Sequence, residues 1–423
     1  MHHVIIGAGP AGVVAAESLR KLDPESEISL IGEEPEAPYS RMALPYYLIK
    51  QIPEEGTHLR KDKNHFVSKK IKIVQDKVTK VEPDSHNLSL EKSGPVSYDK
   101  LLVATGSHAV SPPIPGMDLP GIHNCWTLED GRNIAEKAIP GAKVVLMGAG
   151  FIGCIILEAL AKSGAELTVV EMEDRMVPRM MNDIAGNMIK SWCIKQGVNV
   201  HTSTMVKAIE EGNSENPLRV VLNNGDAIEA DLVVSATGVR SSIAFLEGSG
   251  INTDFGILID RHMRSSVADI YAAGDVAQGK DFSTGEYTVQ AIQPTATEHG
   301  VLAAKNMAGF KNAVHPGSVN MNVLDTLGLI SSSFGLWMGA TDGDSAELLN
   351  EERYRYMNLQ FEEDVLVGAT SLGLTQHVGV LRGLIQSKTR LGKWKEKLME
   401  DPTQIMEAYL ASTQAVGFNP RFG

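Results

Sequence analysis

Three glycines near the start of the chain have the spacing of a phosphate-binding turn. Gly7, Gly9 and Gly12 follow a short apolar strand and open a helix. In such a turn the first glycine makes the tight bend, the second lets the backbone approach a pyrophosphate, and the third lets the helix pack on the strand. Because the amides and the positive end of the helix would face the phosphates, the turn predicts a dinucleotide site.

Two carboxylates follow the next strand. Glu33 and Glu34 lie about 20 residues past the last glycine, where an acidic side chain can accept hydrogen bonds from a ribose 2′-hydroxyl. The sequence of strand, turn, helix and strand favours a nucleotide site over the alternative, a glycine turn that serves only to pack a helix on a strand.

The same arrangement occurs a second time further along the chain. An apolar strand leads into Gly148, Gly150 and Gly153, and a helix and another strand lead on to Glu171. Two complete units predict two dinucleotides. Because the Glu171 carboxylate would repel a 2′-phosphate, the second site favours NADH over NADPH, although Arg175 close behind it weakens that preference.

Other strands end in small residues, which let the backbone approach a ligand at the carboxyl edge of an open sheet. Strand 98–104 runs into Ala104, Thr105 and Gly106, and a later strand with the same three-residue ending stops at Gly238. These endings predict further contacts to the two dinucleotides.

The second half of the chain adds three candidate groups. One strand ends in Gly274 and Asp275, whose carboxylate can accept a hydrogen bond from a ribityl hydroxyl or cap a helix. Pro294 and Thr295 then open a long helix, whose positive end would stabilise negative charge on a bound cofactor. His299 in that helix is either a proton donor or a packed residue.

Several residues allow two interpretations each. Arg41 can pair with phosphate bidentately or form a surface ion pair. The Lys-rich stretch 58–72 is either a docking patch for an acidic partner or a solvated face. Glu158 is either structural or in contact with nicotinamide. The pattern of residues 71–81 predicts one strand.

Composition limits the class of protein. The chain has 423 residues, of which 43% are hydrophobic and 22% charged, so two or three soluble domains are expected. A net charge of −13 disfavours a nucleic-acid partner. The three cysteines, Cys125, Cys154 and Cys193, lack metal-ligand spacing, so no metal site is predicted. No apolar run is long enough to span a membrane, and the first strand starts at His3, so we expect a cytoplasmic location.

The order of these motifs resembles the pyridine nucleotide-disulfide oxidoreductase family over about the first three quarters of the chain. Within it, the chain is most similar to single-flavin NAD(P)H reductases, which include rubredoxin and ferredoxin reductases, the nitrite reductase flavin module and coenzyme A disulfide reductases. The resemblance implies an α/β fold with two Rossmann-like domains and a C-terminal α+β interface domain. The expected FAD domain is 1–112 with 243–318, the NAD domain 113–242, and the interface domain 319–423.

The resemblance also implies which residues bind each cofactor. The FAD site would comprise Gly7, Gly9, Pro10, Ala11, Gly12, Glu33, Glu34, Arg41, Val78, Ala104, Thr105, Gly106, Gly274, Asp275, Pro294 and Thr295. The NADH site would comprise Gly148, Gly150, Phe151, Ile152, Gly153, Glu171 and Gly238.

One departure from the family pattern restricts the chemistry. Coenzyme A disulfide and peroxide reductases carry a redox cysteine at the place held here by Met42, and a thioether cannot form a thiolate or a mixed disulfide. The lysine that ferredoxin reductases place near the flavin is matched by Tyr46, with Lys50 one turn later. Disulfide and peroxide reduction are therefore disfavoured.

The expected reaction is hydride transfer from NADH to FAD, with no catalytic side chain, followed by single-electron delivery to an iron-sulfur carrier or subunit. Flavin subunits of complexes such as tungsten aldehyde oxidoreductases resemble this layout, and both a homodimer and a hetero-oligomer are compatible with it. Two alternatives are a self-contained NADH oxidase or small-molecule reductase of nitrite or coenzyme A disulfide, and a flavoprotein with a vestigial NADH site.

Overall fold

The computed structural model describes residues 1–417 of the chain. The chain divides into two compact units, of which the first combines Met1–Val110 with Val239–Ser318 and the second combines Ser111–Gly238 with the chain from Val319 onward. Each unit is built on a parallel sheet flanked by helices, so the predicted α/β class is confirmed. The cofactor assigned to each unit and the division into three domains stay predictions.

A five-stranded parallel sheet forms the centre of the first unit. Its strands are β1 (His2–Ile6), β2 (Glu27–Gly32), β3 (Ile71–Gln75), β7 (Lys100–Val103) and β19 (Ile270–Ala272). They lie in the order β19-β7-β1-β2-β3. The strand order reverses beside β1, and ligands of open α/β sheets bind at the carboxyl ends of strands at such a point.

Apolar side chains hold this sheet between its helices. Val4, Ile5 and Leu102 are fully buried, and burial of each such side chain contributes about 1.5–3 kcal/mol. The helix α1 (Pro10–Leu22) joins β1 to β2 and packs against α7 (Gln293–Met307). The two helices approach closely, since a Cβ at Gly300 would lie 2.4 Å from the carbonyl oxygen of Ala11.

The remaining elements of the first unit are short. The strands are β4 (Val78–Glu82), β5 (Asn87–Leu90) and β6 (Val96–Ser97); β8 (Ser107–Ala109) and β17 (Val239–Ser241); and β18 (Ile257–Leu258), β20 (Ala277–Lys280) and β21 (Tyr287–Val289). The helices are α2 (Leu44–Leu48) and α3 (His65–Ser68), with 3-10 turns at Arg41–Ala43, Glu54–Thr57, Pro83–Ser85, Ala244–Leu246 and Gly274–Val276.

The expectation of one strand over residues 71–81 is wrong, because the chain turns at Asp76. Its backbone amide donates to the carbonyl of Gly32, and its carboxylate accepts hydrogen bonds from the backbone amides of Lys77, Lys92 and Ser93. The contact with Ser93, together with these amides, lowers the pKa of Asp76 to about 2. The chain therefore leaves the parallel sheet after β3 and enters the antiparallel β4–β5 pair.

The second unit repeats the parallel layout. Its strands are β9 (Ile122–Asn124), β10 (Lys143–Met147), β11 (Glu166–Val170), β12 (Asn199–His201) and β16 (Leu232–Ser235), in the order β12-β11-β10-β16-β9. The helices are α4 (Leu128–Lys137), α5 (Phe151–Lys162) and α6 (Asp183–Lys195). A separate antiparallel sheet consists of β13 (Val206–Glu211), β14 (Leu218–Leu222) and β15 (Ala227–Ala230).

An antiparallel sheet with helices completes the second unit. Its strands are β22 (Met321–Thr326), β23 (Leu329–Gly335), β24 (Asp344–Asn350), β25 (Arg355–Glu362) and β26 (Val365–Leu372), in the order β22-β23-β26-β25-β24. The helices are α8 (Val378–Ser387), α9 (Lys393–Glu400) and α10 (Ile405–Gly417). Helix α6 is tied to this sheet, since Asn182 donates to the Tyr356 hydroxyl at 2.6 Å and Trp192 donates to the carbonyl of Leu327 at 3.2 Å.

Within residues 1–417, none of the helices has the length and apolar character needed to cross a membrane.

Candidate dinucleotide-binding sites

The first glycine turn has a backbone that only glycine fits at two positions. Gly7 has a φ of +108° and donates its amide to the carbonyl of Ile31 at 2.7 Å. A Cβ at Gly7 would lie 2.1 Å from the carbonyl oxygen of Ala104, and a Cβ at Gly12 would lie 1.9 Å from that of Gly7. Strand, turn and helix are therefore packed backbone against backbone.

The middle glycine has the opposite environment. A Cβ at Gly9 would meet no atom within 4 Å. Gly9 precedes α1, in which Pro10 lies in the first turn and Ala11 is buried. The first amides of a helix have no partner inside the helix, so they are available to an anion in the space beside Gly9. The turn therefore fits a pyrophosphate.

The second turn repeats this geometry. Gly148 has a φ of +94°, and its Cβ would lie 2.6 Å from the carbonyl oxygen of Ala236. A Cβ at Gly153 would lie 2.2 Å from that of Gly148, while one at Gly150 would meet no atom within 4 Å. Half-buried residues, Phe151 and Ile152, begin the helix that follows.

The acidic residue after the second turn is fixed by backbone amides. Glu171 is 6% exposed, and its carboxylate accepts hydrogen bonds from the amides of Ala149 at 2.6 Å and Glu173 at 2.8 Å. Val177, a β-branched residue with a φ of +46°, donates its amide to the carbonyl of Ala149. Such a left-handed conformation is strained for valine, so the loop after β11 is held against the glycine turn at a cost.

The first unit places its carboxylate one residue later. Ile31 and Val170 bond equivalent glycines, so Gly32 corresponds to Glu171. A Cβ at Gly32 would lie 3.0 Å from the Cβ of Ala8, which leaves little room for a side chain there. Glu33, the next residue, is 62% exposed and lies 3.8 Å from the ammonium group of Lys77.

Arg41 is positioned by Glu34, which the sequence predicted as a site residue, and by Ser107 and Tyr39, which it did not. Its guanidinium donates to the Glu34 carboxylate at 2.8 Å and to the carbonyl of Ser107 at 3.0 Å. The Tyr39 hydroxyl donates to the other oxygen of Glu34 at 2.5 Å. Burial works against the charge on Arg41, but the Glu34 carboxylate outweighs it and raises the pKa. Glu34 therefore bonds to Arg41 and Tyr39, and its predicted contact to a cofactor stays a prediction.

Asp275 lies in a polar cluster at the carboxyl edge of the sheet. It belongs to a 3-10 turn, and its carboxylate accepts a hydrogen bond from the Ser107 hydroxyl at 3.0 Å. Burial raises the pKa of Asp275 in spite of that bond. The Ser241 hydroxyl donates to the carbonyl of Asp275, and Gly274 has a φ of +78° with its Cβ position 3.2 Å from that of Ala11. Ser107 directly follows the Ala104–Gly106 ending, which was the available signal for it.

The remaining predicted contacts of the first unit lie directly after β7, in α7 and in β4. The Thr105 hydroxyl donates to the carbonyl of Ser242 at 2.9 Å, and Gly106 has a φ of +65°. Thr295 is buried in the first turn of α7, beside Pro294. Val78 is buried at the start of β4, and its contact to an adenine stays a prediction.

His299 is a packed residue. Its Nε2 lies 3.2 Å from that of His315 and 3.3 Å from the Ser318 hydroxyl, and its side chain is 3% exposed. Burial, together with His315, lowers the pKa of His299 from 6.5 to about 3. The imidazole is therefore neutral near pH 7, which favours the packed interpretation over that of a proton donor.

Two ambiguous groups of the second unit are engaged within the protein. Glu158 pairs with Lys162 one helical turn later, which supports a structural role. Arg175 donates to the Asp174 carboxylate at 2.8 Å and forms an ion pair with the Asp183 carboxylate at 2.9 Å. Gly238 has a φ of +128°, and a Cβ there would meet no atom within 4 Å.

No cysteine in the chain is poised for redox chemistry. Cys125, Cys154 and Cys193 are all buried. Burial raises the pKa of Cys125 and Cys193 to about 12 and that of Cys154 well above its usual range. Met42 is 45% exposed next to Arg41, so the exposed residue of that segment is a thioether. In residues 1–417, no cluster of three His, Cys, Asp or Glu side chains can hold a metal ion.

Comparisons with known proteins agree with this geometry. A family model described as pyridine nucleotide-disulphide oxidoreductase matches residues 1–300. The chain is 29% identical over 414 residues to the NADH-dependent phenylglyoxylate dehydrogenase subunit epsilon of Aromatoleum evansii, with 97% of each chain covered. It is 32% identical over 328 residues to an NADH oxidase of Methanocaldococcus jannaschii, covering 75% of this chain and 72% of that one.

A rubredoxin-NAD(+) reductase of Pseudomonas putida is 25% identical over 386 residues, with 90% of this chain and 98% of the relative covered. The glycine turns, the carboxylates after them and the family match lead to one conclusion. The chain belongs to the pyridine nucleotide-disulphide oxidoreductase family and is an FAD-dependent NAD(P)H oxidoreductase.

Proposed function

We propose that this protein is an NADH oxidoreductase that delivers electrons, by way of FAD, to an iron-sulfur protein or to an iron-sulfur subunit of a larger complex. FAD, when bound, supplies the chemistry, which is acceptance of a hydride and release of electrons one at a time. The protein supplies binding sites, orientation and electrostatics.

The observation that carries the proposal is the combination of two nucleotide cradles with the lack of a reactive thiol. Gly9 and Gly150 each leave open space at a helix start, whereas the three cysteines are buried with raised pKa values. A thiol that stays protonated cannot attack a disulfide or a peroxide. Electrons would therefore leave the protein without a sulfur relay.

The residues of the first cradle have separate roles in this proposal. The first amides of α1 would bind the pyrophosphate, and Arg41, held by Glu34, would pair with a phosphate oxygen. Asp275, held by Ser107, would accept a hydrogen bond from a ribityl hydroxyl. The positive end of α7, at Pro294, would stabilise negative charge on the reduced ring.

The second cradle favours NADH over NADPH. The Glu171 carboxylate is fixed by two backbone amides, so it cannot turn away from a 2′-phosphate without losing both hydrogen bonds. Each hydrogen bond to a charged group contributes about 1.5–3 kcal/mol. A ribose 2′-hydroxyl, in contrast, would gain an acceptor.

Two relatives support an iron-sulfur acceptor or partner subunit. One is a subunit of an NADH-dependent dehydrogenase and matches this chain along nearly its whole length. The other is a reductase of rubredoxin, and it also matches most of the chain. The relative that is an NADH oxidase favours a second candidate function, in which oxygen takes the electrons directly.

An anaerobic titration separates these candidates. NADH added to the purified flavoprotein should bleach the visible flavin absorbance, and a rubredoxin or a ferredoxin should then restore it. Turnover with the iron-sulfur protein should exceed turnover with oxygen or with coenzyme A disulfide. Absence of bleaching would contradict the hydride step, and faster turnover with oxygen would favour the oxidase.

A further measurement tests whether the Lys-rich stretch docks an acidic carrier. Lys61, Lys63, Lys70 and Lys72 are exposed beside the edge strand β3, whereas Arg60 is paired with Glu17. If these lysines bind the carrier, turnover should fall steeply with salt.

Reversal of two charges, Lys61→Glu with Lys63→Glu, should then raise the KM for the carrier and leave the KM for NADH unchanged. Lys207→Glu, at an exposed lysine of β13 in the second unit, is the control. Salt-independent turnover would identify the stretch as a solvated face.

A further inference from the structure

Arg175 is bound on all sides within the loop that follows β11. Its Nη1 lies 2.8 Å from the carboxylate of Asp174 and 2.9 Å from that of Asp183. Its Nε donates to the carbonyl of Met181 at 3.0 Å, and its Nη2 donates to the carbonyl of Pro178 at 3.3 Å. The Arg175 side chain is 16% exposed, whereas those of Asp174 and Asp183 are 64% and 76% exposed.

The protein has a dedicated space for this arginine. Gly186 lies inside helix α6, where glycine is unfavourable compared with alanine. A Cβ at Gly186 would lie 2.9 Å from the Cδ of Arg175 and 2.7 Å from the carbonyl oxygen of Met176. The missing side chain therefore leaves the room that the aliphatic part of Arg175 occupies.

The location of Arg175 gives this arrangement a consequence for the nucleotide. In dinucleotide folds, an arginine near the acidic residue after the second strand accommodates the 2′-phosphate of NADPH. Arg175 lies four residues past Glu171 in the same loop. Its charge is already matched by two carboxylates, and its Nε, Nη1 and Nη2 atoms all have acceptors within the protein.

We propose that Asp174 and Asp183 are specificity residues, which keep Arg175 occupied and so deny a 2′-phosphate its cationic partner. Glu171 repels the 2′-phosphate, and the two aspartates remove the arginine that would offset this repulsion. The inference rests on the proposed function, because it requires that the second cradle binds NADH.

The test is calorimetry of NAD+ and NADP+ binding at equilibrium. It compares the unaltered flavoprotein with a double variant that combines Asp174→Asn and Asp183→Asn. Neutral side chains remove the two negative charges that match Arg175, while its hydrogen bonds to the carbonyls of Met181 and Pro178 remain, so its positive charge becomes available to a phosphate. We expect the affinity for NADP+ to rise about tenfold, which is the effect of one charge-assisted hydrogen bond, while that for NAD+ changes less than about threefold. The gain should shrink at high salt.

A matched control distinguishes this effect from a general change in charge. Arg219, on the β13–β15 sheet, also faces two carboxylates, with Glu210 at 2.7 Å and Glu229 at 4.0 Å. The double variant Glu210→Gln with Glu229→Gln also removes two negative charges, and it should leave the affinity for NADP+ unchanged. Arg175→Gln, added to the aspartate variant, should abolish the gain. Thermal unfolding of each variant checks that the fold is retained.

The outcomes are distinct. NADP+ affinity that stays unchanged in a folded aspartate variant, or a gain that survives Arg175→Gln, would overturn the inference and leave the proposed function intact. If the aspartate variant is unfolded, Gly186→Ala offers a second way to displace Arg175 and should raise NADP+ affinity in the same direction; no rise there would also overturn the inference. Failure of the unaltered protein to bind NAD+ would overturn the proposed function and, with it, the inference.

Discussion

The two glycine turns have the same backbone geometry, but the carboxylates that follow them are held in opposite ways. Glu171 is buried and bound by the amides of Ala149 and Glu173, whereas Glu33 is exposed and lies 3.8 Å from the ammonium group of Lys77. The difference follows from one residue, because Gly32 occupies the position that corresponds to Glu171.

This difference matches the different behaviour expected of the two ligands. A nucleotide that binds and leaves in every turnover gains from a carboxylate that is already in place, since no side chain has to be ordered at each binding event. A resident cofactor is bound once, so an exposed carboxylate that no backbone amide holds in place is a small disadvantage. If NADH binds the second cradle, as proposed, its carboxylate is preorganised for exchange, whereas that of the first cradle is not fixed in this way.

The largest expected effect comes from filling the open space in each cradle. Gly9→Val should give a folded protein that purifies without FAD, because the new side chain would occupy the phosphate position and its Cβ meets no protein atom within 4 Å. Gly150→Val should keep the flavin and lower NAD+ affinity by roughly 100-fold or more. Flavin absorbance and calorimetry measure the two effects.

Gly94→Val is the control for both cradle variants, since a Cβ at this exposed glycine also meets no atom within 4 Å. It should change neither the FAD content nor the affinity for NAD+. Loss of both ligands in either cradle variant would contradict the separate assignment of the two sites.

Acid should affect the first unit through its buried histidines. His299 takes up a proton near pH 6.5 when unfolded, but only near pH 3 when folded, so the free energy of unfolding falls as the pH decreases from 6.5 toward 3. The expected slope is about 1.4 kcal/mol per pH unit, or about 2 kcal/mol between pH 6.5 and 4.5. Above about pH 7.5 this histidine adds no dependence, because it is then unprotonated in both states. Urea titrations over this range measure the slope.

The matched variants are His299→Gln, which should flatten the pH dependence, and His201→Gln, at an exposed histidine of the second unit, which should not. Equal slopes in the two variants would mean that the acid response arises elsewhere in the chain.

The sequence predicted the backbone of the cradles better than the partners of their side chains. Glycine spacing determines the turns because Gly7 and Gly148 require a positive φ, and spacing is visible in one stretch of chain. The contact of Ser107 with Asp275, in contrast, joins residues that are far apart in sequence, and no local pattern encodes it. The turn at Asp76 was missed for the same reason, because two of its amide donors come from residues 92 and 93.

A smaller effect should separate the two carboxylates. Glu171→Gln removes the negative charge that accepts hydrogen bonds from two backbone amides, and its side-chain nitrogen cannot accept from either of them. We therefore expect the free energy of unfolding of the second unit to fall by about 2 kcal/mol. Glu33→Gln should change it by less than about 0.5 kcal/mol, because an exposed ion pair contributes little. Urea titration without NAD+ measures both. Equal losses would contradict the view that only the second cradle is preorganised.

The smallest effect concerns the support of Arg41 in the first cradle. Tyr39→Phe removes the hydroxyl that donates to Glu34, while the Arg41 contact to the same carboxylate remains, so the variant should lose about 1.5 kcal/mol of stability and bind FAD a few-fold more weakly. Tyr98→Phe is the matched control, because its buried hydroxyl has no partner among the described residues and its removal should cost nothing. FAD release measured by fluorescence, with unfolding by urea, compares the two. If both variants behave alike, Glu34 does not depend on Tyr39 to orient Arg41, and the contact between Glu34 and Arg41 is sufficient on its own.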